Sequence, residues 1–167
     1  MTTKKEFEAQ LRYMQNPPKM SMDDALSAER PEFEIGIRIA AKEEELTAVE
    51  NTFWEVESFL GDALNGGIMQ ALCNDTGSYI ESVHNFTTKY CGVDVSDIFN
   101  ELKALFPSCI IPIDRDERNE IIEQMSDDFE IDPFDELTQR FYQFEDRYIE
   151  GLIAFAKEHR GEITCLE

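Results

Sequence analysis

Apolar residues recur at helical spacing through almost the whole chain from Ala48 onward. The clearest early run steps by four, three, four and four positions and comprises Val49, Phe53, Val56, Leu60 and Leu64. Such spacing places the apolar side chains on one face of a helix. No stretch alternates with a period of two for long enough to predict a strand. The sequence therefore predicts an all-α fold.

Glycine, proline and capping residues divide this pattern into helices. The first helix is predicted to end at Asn65-Gly66-Gly67, and a second, bearing Ile80 and Val83, to end at Gly92. Ser96 is predicted to cap a third helix, which stops before Pro107. Asp114 and Glu117 have the spacing of a capping box and predict the start of a fourth.

The final run of apolar residues predicts one long helix. Asp132 is the expected N-cap and Pro133 the first helical residue. The apolar positions then advance by 3-4-3-4-4-3 and are Phe134, Leu137, Phe141, Phe144, Tyr148, Leu152 and Phe155. With these elements we expect a single-domain bundle of about six or seven helices.

The N-terminal 30 residues differ from the rest of the chain in charge. They hold five acidic and five basic residues, and the prolines at Pro17, Pro18 and Pro31 separate a short amphipathic segment from the later helices. We interpret residues 1–30 as an arm and residues 31–167 as the acidic helical domain. The chain's 167 residues match the usual size of one domain, roughly 150 residues.

The acidic excess limits the partners that this chain can bind. The net charge is −21, so the surface repels phosphate, and direct binding to nucleic acid or to an anionic membrane is not expected. Basic proteins or cations are the expected partners, and self-association into a homodimer stays open. The four cysteines form no CxxC pair, which favours reduced thiols and a cytoplasmic location.

Acidic residues are densest between Asp114 and Glu136, a segment that contains eleven carboxylates and only two arginines. Helical spacing places several of them in one stripe. The candidate partner-binding residues are Asp116, Glu117, Glu120, Glu123, Asp127, Asp128, Glu130, Asp135 and Glu136. A second cluster at Glu43, Glu44 and Glu45, with Glu50, is predicted to supply another row. Solvated helix faces and N-terminal capping carboxylates explain the individual residues, and for the cluster as a whole this alternative stays open.

No catalytic or metal-binding motif emerges. The run Asp128-x-Glu130-x-Asp132 resembles the opening of an EF-hand, but Pro133 stands where a glycine must turn and Gln139 occupies the twelfth position. The sequence has no GxSxG, GxxxxGK[ST], GxGxxG or HExxH motif. We expect no cofactor, no metal and no enzymatic activity; His84 and Cys73 are interpreted as structural rather than as a catalytic dyad.

The most specific local signal is a motif whose chemistry indicates a helix break and a tight corner. Asparagine with two glycines makes the break, and two side-chain amides stand one turn apart beyond it, able to form hydrogen bonds across the junction. The motif residues are Asn65, Gly66, Gly67, Gln70, Asn74 and Gly77. We interpret them as structural.

Residues in the second half of the chain extend the motif. Phe106-Pro107 and Arg118 come after it, and a closing Phe134-Asp135-Glu136-Leu137 with Phe141-Tyr142 precedes an amphipathic helix. Together these residues resemble the DNA-mimic-protein domain family, small acidic helical bacterial proteins, over roughly residues 46–159. The resemblance implies a helical fold, and carboxylates that act as phosphate surrogates toward a transcription repressor.

Three functions therefore compete. The leading hypothesis is a DNA-mimic-like protein that covers the DNA-binding surface of a basic transcription regulator or nuclease. The alternatives are an immunity or antitoxin protein that neutralises a cognate toxin, and a metal-dependent hydrolase that uses the carboxylates.

Overall fold

A computed structural model of the chain describes residues 4–126 and 132–166. Of these described residues 75% are helical and none lies in a strand, so the predicted all-α class is confirmed. Within that part of the chain the α-helices are α1 (Lys4–Gln15), α2 (Met22–Leu26), α3 (Pro31–Ala40), α4 (Ala48–Cys73), α5 (Ile80–Tyr90), α6 (Val93–Ala104), α7 (Arg115–Ser126), α8 (Asp135–Tyr142) and α9 (Glu145–Glu158). Short 3-10 turns cover Asp75–Tyr79 and Pro107–Cys109.

These nine helices of the described residues exceed the predicted six or seven. The predicted set lacked α2 and α3, and the predicted single last helix was wrong. The chain turns at Gln143 and Phe144, where two amides bond to carbonyls three residues back, so α8 ends and α9 begins. The apolar spacing runs unbroken through this turn because residues of both helices, such as Phe141 and Tyr148, are buried in the same core.

Two predicted helix caps have different outcomes. The side chain of Asp114 accepts a hydrogen bond from the backbone N–H of Glu117 at 2.9 Å, which confirms it as the cap of α7. Ser96 does not cap α6: this helix begins at Val93 after Gly92, whose φ of 94° permits a tight entry, and the buried Ser96 hydroxyl lies 2.7 Å from Thr88 Oγ1.

The predicted start of the last helix at Asp132 and Pro133 was also wrong, because α8 begins at Asp135. Asp132 Oδ1 accepts instead from the backbone N–H of Phe134 at 2.7 Å and closes a turn before the helix. Phe134 has a φ of −110° and a ψ of 8° and lies fully buried, its ring stacked on Phe106 at 6.0 Å. With its ring in the core, Phe134 keeps a non-helical backbone, and the regular helix starts at the next residue.

The described chain forms two compact units, which do not coincide with the predicted boundary at residue 30. That boundary, and the single-domain organisation, stay predictions. The first unit comprises the described residues up to Trp54 and those from Phe155 onward. Its core contains Ile35 and Ile39, with the rings of Phe53 and Phe155 6.3 Å apart.

The second unit, Glu55–Ala154, has an aromatic core. Phe99 lies 6.3 Å from Phe59 and 6.4 Å from Phe141, and Phe141 stacks on Tyr148 at 4.6 Å. All four rings are buried. Close aromatic pairs of this kind stabilise a core beyond the area that they bury, and here they hold the helices that carry the candidate site.

Candidate functional site

Helix α7 carries the part of the predicted acidic stripe that the structure describes. Asp116, Glu117, Glu120 and Glu123 are all solvent-exposed on this helix, while Ile122 on another face is buried. At 1.5 Å of rise per residue, Asp116 and Glu123 stand about 10 Å apart along the axis. No ion pair engages these four carboxylates within the described parts of the chain. Their charge therefore faces solvent uncompensated.

The other predicted carboxylates fall in three places. Asp135 and Glu136 are exposed in the first turn of α8, in the same unit as α7. Glu43, Glu44 and Glu45 are exposed between α3 and α4, in the other unit. The remaining three, Asp127, Asp128 and Glu130, lie outside the described residues.

Glu50 is not a surface carboxylate, which corrects its place in the predicted second row. It is fully buried at the start of α4 and accepts hydrogen bonds from Lys42 Nζ at 2.6 Å and from the backbone N–H groups of Thr47, Thr164 and Cys165. Burial alone raises the pKa of Glu50, but these donors outweigh it and lower the pKa to about 2. Within the first unit, these hydrogen bonds fasten the C-terminal segment to the start of α4.

The second unit holds most of the chain's acidity. By sequence it contains 22 acidic and six basic residues, a net charge of −16. All six cations contact groups inside the unit. Lys103 pairs with Glu81, Arg115 with Asp75, Arg140 with Glu101 and Arg147 with Asp94, Lys89 lies over the Tyr90 ring, and Arg118 is buried.

Arg118 fixes α7 to the rest of the unit without using any carboxylate. Its guanidinium is fully buried and donates to the backbone carbonyls of Leu72, Asn74, Pro112 and Ile113. These carbonyls lie at the end of α4, just beyond it, and just before α7. Burial lowers the pKa of this guanidinium, yet an arginine stays charged in proteins. The guanidinium suits this cage of four carbonyls, because its five N–H donors can bond to several carbonyls at once.

Gly77 leaves room for that guanidinium. A Cβ at this position would lie 2.6 Å from Arg118 Nε and 2.6 Å from the Leu72 carbonyl oxygen. Sequence reasoning included both residues in the family resemblance but gave Arg118 no role. No local signal reveals this contact, because the two residues are 41 positions apart.

The rest of the motif builds the corner in α4. Gly66 and Gly67 leave the helical conformation, with Gly67 at a φ of 86°, and the helix resumes to Cys73. A Cβ on Gly66 would overlap Gln70 Oε1, and the backbone N–H of Ile68 donates to Thr138 Oγ1 at 3.1 Å. The non-helical backbone of Gly66 and Gly67 confirms the predicted break, because two helical segments of α4 meet there at a kink.

Asp62 accepts the side-chain amides beyond this kink. Its carbonyl receives Gln70 Nε2 at 3.4 Å, and its carboxylate receives Asn74 Nδ2 at 3.1 Å and the Thr76 hydroxyl at 2.6 Å. The exposed carboxylates and the motif thus lie in one unit with different tasks. Asn74 and Gly77 of the motif hold α7 near the end of α4, through the Asn74 carbonyl and the space left for Arg118, and α7 presents the charge.

His84 and Cys73, considered above as a catalytic dyad, are both partly buried. No group of three His, Cys, Asp or Glu side chains in the described residues converges to hold a metal ion. His84 Nδ1 lies 3.0 Å from Lys103 Nζ and its ring stacks on Phe99; burial and Lys103 lower the pKa of His84. Burial raises the pKa of the Cys73 thiol. Among the described helices, none combines the length and the apolar character that a bilayer span requires.

The fold and the site define an all-α acidic protein in which a kinked helix and a buried arginine support a helix of exposed carboxylates. The chain belongs to the DMP19-like protein family, whose model matches residues 44–159. This range contains the second unit entire and confirms the resemblance seen in the motif. Neither the curated proteins nor the solved structures gave a match to the chain.

Proposed function

We propose that this protein is a DNA mimic that binds the DNA-binding surface of a basic protein, a transcription regulator or a nuclease, and blocks it by offering carboxylates in place of phosphates. The observation that carries the proposal is the set of four exposed, unpaired carboxylates on α7, within the described residues, on a helix fixed by Arg118. Family membership supports it.

Electrostatics favours a basic macromolecule as the partner. A unit with a net charge of −16 attracts cationic surfaces over long range and repels nucleic acid. Its own cations do not neutralise α7, because they are engaged with other groups of the unit. At 1.5 Å of rise per residue, the carboxylates of the α7 stripe are spaced by roughly 5 to 6 Å along the helix axis. The phosphates of a DNA strand are spaced by about 3.4 Å.

A binding role rather than an enzymatic one is part of the proposal. His84 Nδ1 lies 3.0 Å from Lys103 Nζ, and burial raises the pKa of the Cys73 thiol. The exposed groups that gather on α7 are carboxylates, which suit a cationic surface.

Capture of partners from the native cell at low salt, with subsequent elution by a salt gradient, tests the proposal. The captured protein is then bound to its DNA, and this chain is added as competitor. We expect displacement of the DNA, and a weaker effect with the variant Glu120→Gln/Glu123→Gln. The control is Glu145→Gln/Glu150→Gln on α9, which removes the same charge from exposed positions elsewhere in the unit.

Two results would count against DNA mimicry. One is a partner whose affinity does not change between low and high salt, since long-range electrostatics must weaken as salt screens it. The other is capture of a toxin whose active site, rather than a DNA-binding surface, is covered; that result would favour the immunity or antitoxin alternative.

A further inference from the structure

The loop that leads into α7 exposes three large apolar side chains. Leu105 is 47% exposed, Ile110 64% and Ile113 73%. Single exposed apolar residues are normal on a protein surface, but these three occur within nine residues of one connection. They end directly before Asp114 and the carboxylates of α7.

The same loop is anchored from beneath. Phe106 and Ile111 are buried, and the Phe106 ring stacks on Phe134 at an interplanar angle of 6°. Arg118 Nη1 fixes the last turn of the loop, since it donates to the carbonyls of Pro112 and Ile113 at 2.7 and 2.9 Å. The backbone that bears the exposed side chains is therefore held in place by its neighbours.

Two further contacts fix the middle of the loop. The backbone N–H of Cys109 donates to Phe106 at 3.0 Å, and that of Ile110 donates to Pro107 at 3.2 Å. In this turn Ser108 and Cys109 have positive φ values of 58° and 56°. These values lie in the left-handed region, which residues other than glycine rarely occupy. A surface that is fixed before binding loses less entropy when a partner docks.

Charge decides which partner suits this loop. A second copy of the chain would bring two units of net charge −16 together, and an anionic membrane would be repelled in the same way. A basic protein surface is attracted instead. Because α7 begins at Arg115, two residues after Ile113, the carboxylates of α7 follow the exposed apolar side chains directly in the chain.

We propose that Leu105, Ile110 and Ile113 form the apolar centre of a docking surface for a basic protein, flanked by the carboxylates of α7. This inference rests on the proposed function and adds the chemistry of the partner. The binding surface of that partner carries an apolar side chain surrounded by lysines or arginines. Carboxylates acting alone as phosphate surrogates would need no such centre. The apolar contacts supply a part of the affinity that salt does not screen.

Two synthetic helical peptides test the inference with the full chain. Both carry the same number of lysines, and one has leucines along a face where the other has glutamines. We expect the leucine peptide to bind about tenfold more tightly or better, the effect of burying one or two apolar side chains. In Ile110→Ser/Ile113→Ser this preference should disappear. The control Val93→Ser, at a site 74% exposed on α6, should retain it.

Each outcome decides a separate question. Equal binding of both peptides at low salt, or a preference that survives Ile110→Ser/Ile113→Ser, overturns the apolar centre and leaves the proposed function standing. Binding of neither peptide overturns both. Sedimentation of the free chain covers self-association: a dimer that becomes monomeric in the double variant would assign the loop to a second copy and refute the inference. Circular dichroism verifies the helical fold of every variant.

Discussion

The Nη2 group of Arg118 donates to the carbonyl oxygen of Asn74 across 2.8 Å. The bond joins the acidic helix α7 to the corner just after α4, and Gly77 lies against the same guanidinium. Three residues of the family resemblance, Asn74, Gly77 and Arg118, therefore belong to one structural assembly. It positions the carboxylates of α7 and contributes no exposed charge of its own.

Replacing Gly77 by alanine should destabilise the fold. The new Cβ would stand 2.6 Å from Arg118 Nε and from the Leu72 carbonyl, and relief requires a shift of buried backbone. We expect a loss of about 1 to 3 kcal/mol in the free energy of unfolding, measured in urea. Gly61→Ala is the control. Its Cβ meets nothing within 4 Å on a helical backbone, so it should gain about 0.5 to 1 kcal/mol.

Arg118→Met should lower the free energy of unfolding by more than the removal of any exposed charge does. The variant leaves four backbone carbonyls without their buried donor, and we expect the free energy of unfolding to fall by about 3 to 5 kcal/mol. Arg140→Gln, which breaks a half-exposed pair with Glu101, should cost at most about 1 kcal/mol. Similar losses in the two variants would contradict the carbonyl cage.

Glu50 should make stability depend on acid pH. Its pKa of about 2 in the folded chain lies below the usual 4.5, so its contribution is complete above pH 4.5 and is lost as pH falls toward 2. Glu50→Gln should lower the free energy of unfolding by a few kcal/mol at pH 7. The difference from the unmodified chain should shrink on acidification. A difference that stays constant from pH 7 to about pH 2 would refute this role for the carboxylate.

The carboxylates of α7 should repel one another measurably. Asp116, Glu120 and Glu123 are exposed and spaced by four and three positions, where like charges cost a few tenths of a kcal/mol per pair. We expect Glu120→Gln/Glu123→Gln to raise the free energy of unfolding slightly at low salt, and added salt to remove the gain. Glu101→Gln, which loses its Arg140 partner, should have the opposite sign. A destabilised Glu120→Gln/Glu123→Gln variant would mean that the stripe supports the fold.

Phe141→Ala tests the aromatic core that supports the site. The ring is fully buried and contacts Phe99 and Tyr148. A large-to-small change there should cost about 3 to 5 kcal/mol. Tyr142→Ala, at the exposed neighbouring position, should cost much less in the same thermal or urea unfolding experiment.

Local patterns in the sequence predicted most of the helices of the fold. Apolar spacing predicted helices whose buried faces the structure shows, and Asp114 was identified as a cap because capping requires only a side chain three residues from the amide that it accepts. The same locality explains the errors. Spacing continued through Gln143 and Phe144 because two successive helices face one core, and Ser96 resembled a cap although Gly92 already provided the turn.

The sequence by itself determined the helical class, the family and the concentration of acidic residues around α7, because periodicity, motif and charge are properties of neighbouring positions. Only the tertiary structure decided what individual charges do. The buried Glu50 accepts hydrogen bonds from Thr164 and Cys165, 114 and 115 residues further along the chain, and Arg118 donates to carbonyls 44 and 46 residues away. A charged residue looks the same in sequence whether solvent or a buried partner satisfies it, and that difference is set by contacts that only folding brings together.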